Sequence, residues 1–190
     1  MSVQDLAMGV LAELGDVLRE VDESAVSALQ EKLAAARRVF VAGAGRSGLM
    51  MRAFAMRLMH LGLTVHVVGD PTTPSLQAED ILVIGSGSGE TGSLQGMARK
   101  ARQIGAGVAL ITIVAESTIG RLADPVIRLD APSPKAAKPS DGRSPRTSIQ
   151  PMGSLFEQGL LLLLDVVVMR LAAAGGLSPE QMFSRHANLE

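Results

Sequence analysis

Two glycine-rich segments hold most of the chemistry that this chain's residue types allow: GAGRSG at 43–48 and GSGSGETG at 85–92. In the second, Ser86, Ser88 and Thr91 set three hydroxyls among glycines that free backbone N–H groups, at the start of a predicted helix. Hydroxyl donors, open amides and the positive end of a helix dipole all favour an anion, and a phosphate fits that set. No lysine stands in the segment, so it is not a nucleotide loop of the G-x-x-x-x-G-K-[ST] type. The plain alternative is a polar helix start capped by Ser88 or Thr91. The first segment formally matches G-x-G-x-x-G, with Asp70 at a distance that suits the ribose carboxylate of an NAD site. A dinucleotide needs two mononucleotide halves and usually a further substrate domain, and 190 residues leave little for either. A tight strand-to-helix turn and a sugar-binding loop are the other readings. Arg46, inside that segment, can neutralise a phosphate or pair with an acidic neighbour.

Proton transfer falls to fewer candidates. Glu157 stands just past Pro151 and Gly153 at a predicted helix start. A carboxylate there can take a proton from a carbon beside a carbonyl and return it to the next carbon; its ordinary role would be a first-turn acid stabilised by the dipole. His186 can polarise a carbonyl or shuttle hydroxyl protons, or simply belong to a polar tail. His60 sits among Leu58, Met59 and Leu61, as a core or interface histidine would, and His66 alternates within a predicted strand. Three scattered histidines without cysteine predict no metal site. Glu116 and Asp124 read as solvated loop or capping residues.

These groups need a frame, and the hydrophobic period supplies one. Two amphipathic helices are predicted at 3–19 and 23–37, the second N-capped by Asp22. Short continuous apolar runs follow at 39–42, 65–68, 81–84, 108–114 and 126–129, as expected of parallel strands buried on both faces. Helical stretches at 47–61 and 93–104, with a short turn at 117–123, separate them. The alternation predicts a doubly wound α/β fold: five parallel strands with helices on both faces, joined by right-handed crossovers. It does not fix the strand order, for which the flavodoxin-like 2-1-3-4-5 is a guess. Ligands of such sheets bind outside the carboxyl ends of the strands, where both glycine segments fall.

One domain is expected over 1–190, divided into opening helices (1–37), a parallel core (38–130), a loop (131–148) and C-terminal helices (149–190). The loop is rich in proline, serine and basic residues and reads as a mobile linker, or as a lid whose Lys135, Lys138, Arg143 or Arg146 meets an anion. Helix signals resume over 153–174, before Gly175-Gly176 and a last short helix from Ser178. The stretch 159–174 is the most membrane-like, but it is too short to span and carries Asp165 and Arg170. It reads as a buried helix with one flank on the sheet and the other on a second subunit.

A hydrophobic share of 47% with only 2% aromatic residues describes an aliphatic interior, and a net charge of -1 argues against nucleic acid as partner. The absence of cysteine removes disulfides and thiolate chemistry and suits a reducing cytoplasm. No secretory signal is expected from the opening residues, which lack a basic start.

Taken together, the two loops resemble those of the sugar isomerase (SIS) domain family: a first loop ending in a serine, here Ser47, and a second of the S-x-S-G-x-T type, here residues 86–91. The segments SIQPMGSLFEQ at 148–158 and RHANLE at 185–190 are similar to the 6-phospho-3-hexuloisomerase subgroup, and the likeness runs over nearly the whole chain. The resemblance implies an isomerase that interconverts a 3-hexulose 6-phosphate with fructose 6-phosphate through an enediol, without cofactor or metal. It places the phosphorylated substrate against Gly45, Arg46, Ser47, Ser86, Gly87, Ser88, Gly89, Glu90 and Thr91. Glu157 would be the base, and His186 would lie on a tail that reaches a neighbouring subunit of a homo-oligomer, a tetramer. No nucleic acid or membrane partner is implied. A phosphosugar sensor without turnover, or an isomerase of another sugar phosphate, shares the two loops.

Overall fold

The apolar runs become five parallel strands in the order β2-β1-β3-β4-β5 in a computed structural model that describes residues 1–132 and 147–189. In chain order the elements are α1 (Val3–Arg19), α2 (Glu23–Ala35), β1 (Val39–Gly43), α3 (Gly45–His60), β2 (Val65–Val67), β3 (Ile81–Gly85), α4 (Gly92–Ile104), β4 (Gly107–Thr112), a 3-10 turn (Gly120–Leu122), β5 (Val126–Arg128), α5 (Ser154–Ala174) and α6 (Pro179–Phe183). The expected basic loop, with Lys135, Lys138, Arg143 and Arg146, lies for the most part outside the described residues.

Strand periodicity sorts the core into two layers. Val39, Val41, Ile81, Val83, Ala109 and Ile111 face one side, where they pack with α1, α2, α3 and α5. Phe40, Ala42, Leu82, Ile84, Val108 and Leu110 face the other, covered by Leu94, Ala98 and Ala101 of α4. The edge strand β2 is only half-buried, and its His66 rests on the Phe40 ring at 5.2 Å, a packing role.

Three boundaries differ from the sequence expectation, each for a hydrogen-bonding reason. The second helix stops at Ala35 because Ala36 is extended and the Arg37 N–H donates to Glu79 O instead of continuing the helix. β4 ends at Thr112 rather than 114, since the Ile113 N–H leaves the sheet for Gly87 O and the Val114 N–H donates to Thr112 Oγ1. α3 begins at Gly45, so Arg46 and Ser47 belong to its first turn and not to the preceding loop.

The flank expected on α5 is present. Its Leu155, Phe156, Leu160, Leu163, Leu164, Val167 and Val168 are buried, while Leu162, Val166 and Met169, spaced i, i+4, i+7, stay exposed. On α3, which packs along α5, Leu49, Met56 and Met59 are exposed as well. No described helix is long and apolar enough to cross a membrane.

At the amino edge of the sheet Asp80 is enclosed completely, and its carboxylate accepts from Arg38 Nε (3.0 Å) and Nη2 (2.7 Å) and from the Gln77 N–H (2.7 Å). Burial acts to raise its pKa; the Arg38 hydrogen bonds, the Gln77 N–H and the charges of Arg38 and Arg37 outweigh it, so the group titrates below the ordinary carboxylate range. A depressed carboxylate contributes stability above its unfolded pKa of about 4 and loses it as pH falls. We expect Asp80→Ala to cost about 2–4 kcal/mol in urea unfolding at neutral pH, because the largely buried Arg38 loses its compensating charge and keeps only the Ser75 carbonyl as acceptor, and to flatten the acid side of the stability–pH curve.

Candidate active site

The ladder pairs Gly43 with Gly85, which sets the two glycine segments side by side at the carboxyl edge of the sheet. Their glycines answer to close packing. A Cβ on Gly43 would stand 2.9 Å from Gly48 Cα, and one on Gly48 would stand 2.7 Å from Gly43 O, so the strand end touches the helix start. A Cβ on Gly85 would meet Met51 Sδ at 2.7 Å and Leu160 Cδ2 at 2.9 Å, so α3 and α5 both cross directly over the end of β3.

Helix capping separates this edge from the rest of the molecule. α1, α2 and α6 are closed by their own Ser2, Asp22 and Ser178 side chains. α3, α4 and α5 start at Ala44, Thr91 and Gly153, and none of these makes a side-chain cap hydrogen bond. First-turn amides of α3 and α4 are therefore left for another acceptor, and so are those of α5 beyond Ser154, whose N–H donates to Pro151 O. The Thr91 hydroxyl, one of the expected ligands, is not consumed as a cap.

The second loop is stitched in place from below. Ser86 is buried, and its Oγ accepts from the Gly89 N–H at 3.2 Å; Ser88 Oγ accepts from the Glu90 N–H at 3.2 Å. Accepting leaves each hydroxyl its own proton to donate. Buried Thr112 donates from Oγ1 to Gly87 O at 3.1 Å, and the Ile119 N–H donates to Gly89 O at 3.2 Å. The Glu90 carboxylate is engaged away from the loop's amides. It accepts from the Thr118 N–H at 2.6 Å and from Gln95 Nε2 at 2.9 Å, and the Thr118 bonds hold its pKa below the usual range. Sequence reading missed Thr112 and Ser117. Their signal was a polar residue inside the apolar run 108–114 and a serine ahead of a glycine: Gly89, at φ +62°, presses so closely on Ser117 that a Cβ there would lie 1.9 Å from its Oγ.

α5 brings the carboxylate. Phe156 sits against Gly87, where a Cβ would be 3.3 Å away, and the next residue, Glu157, takes Arg46 Nε on its Oε2 at 2.5 Å. The Glu157 side chain is only 17% exposed whereas that of Arg46 is 58% exposed, so the guanidinium lies on the solvent side of the acid. Of the two roles open to Arg46, the structure shows the acidic neighbour. Glu13 of α1 secures the approach to α5 by accepting from Ser148 Oγ, the Ile149 N–H and Gln150 Nε2 at 2.8–3.0 Å. Asp70, the carboxylate of the dinucleotide reading, is bonded to Arg52 at 2.6 Å. Glu116 offers its carbonyl to Arg121, and Asp124 pairs with Lys32. Among the described residues no three His, Asp or Glu side chains gather as a metal site.

His186 is not at this crevice in its own chain. Its ring stacks on His60, the last residue of α3, at 5.4 Å, and Arg185 donates to His60 O. Glu157 is tied to the opposite end of α3, about 20 Å away at 1.5 Å per helical residue. Burial, then the charges of Arg57 and His186, press the pKa of His60 below the ordinary imidazole value. A histidine depressed in this way contributes stability above its unfolded pKa and loses it as pH falls, because the unfolded chain binds the proton first. We expect unfolding in urea to become easier from about pH 7.5 to about pH 5.5, and His60→Phe, which keeps a stacking ring but cannot titrate, to remove part of that drop.

The fold is a doubly wound parallel α/β domain whose carboxyl edge carries open helix starts, and comparison with known proteins gives its family. The model of the SIS domain family matches residues 32–158, and the chain belongs to that family. It is 45% identical over 190 residues to the 3-hexulose-6-phosphate isomerase of Bacillus subtilis, covering 100% of both chains. With the 3-hexulose-6-phosphate isomerase of Mycobacterium gastri it shares 43% identity over 178 residues, 94% of this chain and 86% of that one. Among solved structures, a hypothetical protein of Methanococcus jannaschii, whose reported structure infers a molecular function of 3-hexulose-6-phosphate isomerase, superposes with a TM-score of 0.83. The identity is 30%, over 98% of this chain and 99% of that one.

Proposed function

We propose that the protein is a 3-hexulose-6-phosphate isomerase that interconverts the 3-ketose and fructose 6-phosphate, as its full-length relatives are named. One observation carries the reading from this chain's side: three uncapped helix starts converge on a single recessed carboxylate. The phosphate lies on the second loop, against Ser86, Gly87, Ser88, Gly89, Thr91 and the first amides of α4, with the backbone of Glu90 completing the turn. Gly45 and Ser47 line the facing wall at the start of α3, with Arg46 beside them.

Glu157 takes the proton from C2 of the 3-ketose, and the electrons move into a 2,3-enediol. The same carboxylate returns the proton to C3, while the hydroxyl proton on O2 passes to O3, so one proton moves along carbon and one along oxygen. Open amides and hydroxyls need no reorganisation when the anion arrives, which is the condition for strong electrostatic assistance. His186 serves the oxygen proton. Since it stands at the far end of α3 from its own Glu157, it acts on a neighbouring subunit's site, and the protein works as a homo-oligomer, a tetramer. The exposed Leu49, Met56, Leu162, Val166 and Met169 are apolar surface that such contacts would cover. The reading carries with it a cytoplasmic location and a place in ribulose monophosphate formaldehyde assimilation.

Formaldehyde condensed with ribulose 5-phosphate supplies the 3-ketose, and we expect fructose 6-phosphate to form from it only when this protein is added. Glu157→Gln should lower kcat by about three orders of magnitude or more with little change in phosphosugar affinity. Equal loss of binding and rate would remove Glu157 as the base. We further expect Glu157→Gln and His186→Ala subunits, each inactive alone, to recover part of the activity when refolded together, since some mixed sites then hold both native residues. No recovery would overturn the shared site.

A further inference from the structure

Arg46 and Glu157 form an ion pair whose two members have opposite access to solvent, and both stand where the phosphate loop opens. The carboxylate is recessed; the guanidinium covers it from outside, on a long side chain at an uncapped helix start. The guanidinium Nε stands 2.5 Å from Oε2, and a carboxylate oxygen held against a cation at that distance is a poor acceptor for a carbon-bound proton. A phosphate dianion carries twice the charge of a carboxylate and presents oxygens that match the guanidinium fork. Next to the loop of Ser86, Ser88 and Thr91 it would compete directly for Arg46.

We infer that Arg46 is a phosphate-operated cover on the base: it closes Glu157 in the absence of substrate and swings to the phosphate on binding, which frees Oε2 for the reacting carbon. The inference rests on the reading of Glu157 as the base. It makes Arg46 a specificity-determining residue, because a sugar of correct shape without a phosphate meets a closed carboxylate. The geometry is suited to this, since the pair breaks by rotation of an exposed side chain while the backbone of the first turn of α3 stays where Gly43 and Gly48 hold it.

D-xylulose carries the reacting end of fructose 6-phosphate and lacks the phosphorylated carbon, so its exchange of the C3 hydrogen in D2O reports Glu157 alone. With the wild-type protein we expect slow exchange, accelerated by added phosphite. With Arg46→Ala the phosphite-free exchange should rise at least about threefold and the acceleration by phosphite should disappear, while KM for fructose 6-phosphate rises. Arg46→Lys, which keeps the charge without the fork, should fall between the two. Phosphite-free exchange that is unchanged or lower in Arg46→Ala would overturn the cover and leave Arg46 a simple phosphate ligand. Fructose 6-phosphate turnover by the wild type in the same preparation separates the cases: turnover with an unchanged Arg46→Ala baseline sinks the cover alone, and no turnover sinks the isomerase reading.

Discussion

Three helix starts at the carboxyl edge of the sheet have no side chain of their own to satisfy their first amides, and most of the site is arranged around that deficit. Uncapped N–H groups carry the positive end of each dipole into the same crevice. Elsewhere the chain closes its helices with serine or aspartate, as at Ser2, Asp22 and Ser178. The open starts thus forgo a stabilising side-chain cap, on the order of 1 kcal/mol at Ala44 of α3 and a few tenths at Gly153 of α5, and leave amides facing the crevice.

Holding such starts close together demands backbone contact that only glycine permits. Gly43 against Gly48 brings α3 onto the end of β1, and Gly85 lets Met51 and Leu160 close over β3. The loop between β3 and α4 is then pinned from the neighbouring strand, through Thr112 to Gly87 and through the Thr118 N–H to Glu90. Several loop groups hold one another, so its amides are positioned before any ligand arrives.

Charge at the crevice is sparse, and position makes it effective. Arg46 and Glu157 pair with one another, so the recessed acid has a compensating cation on its solvent side. α3 has a second function as a spacer: it carries Arg46 at one end and His60, with the stacked His186, at the other. The length of that helix separates two groups of one chain that the proposed reaction needs together, and the apolar side chains left outside on α3 and α5 offer the surface on which copies would meet.

Local physics was legible in the amino-acid order. The alternation of apolar runs and helical periods gave five parallel strands and α1 to its terminal residues, while the order β2-β1-β3-β4-β5 is a matter of how the crossovers pack. Glycine and hydroxyl patterning marked both loops, and Glu157 stood out at a helix start after proline and glycine. Boundaries at Ala36 and Thr112 escaped because the deciding hydrogen bonds, to Glu79 O and Gly87 O, come from distant parts of the chain. Tertiary structure alone decided that Arg46 meets Glu157, that Glu90 turns to Thr118, that Asp70 is taken by Arg52 and that His186 lies on His60. Periodicity, capping and turn preference act over a few residues and are written in the sequence, whereas a side chain's partner depends on how whole helices lie across the sheet, which core packing sets.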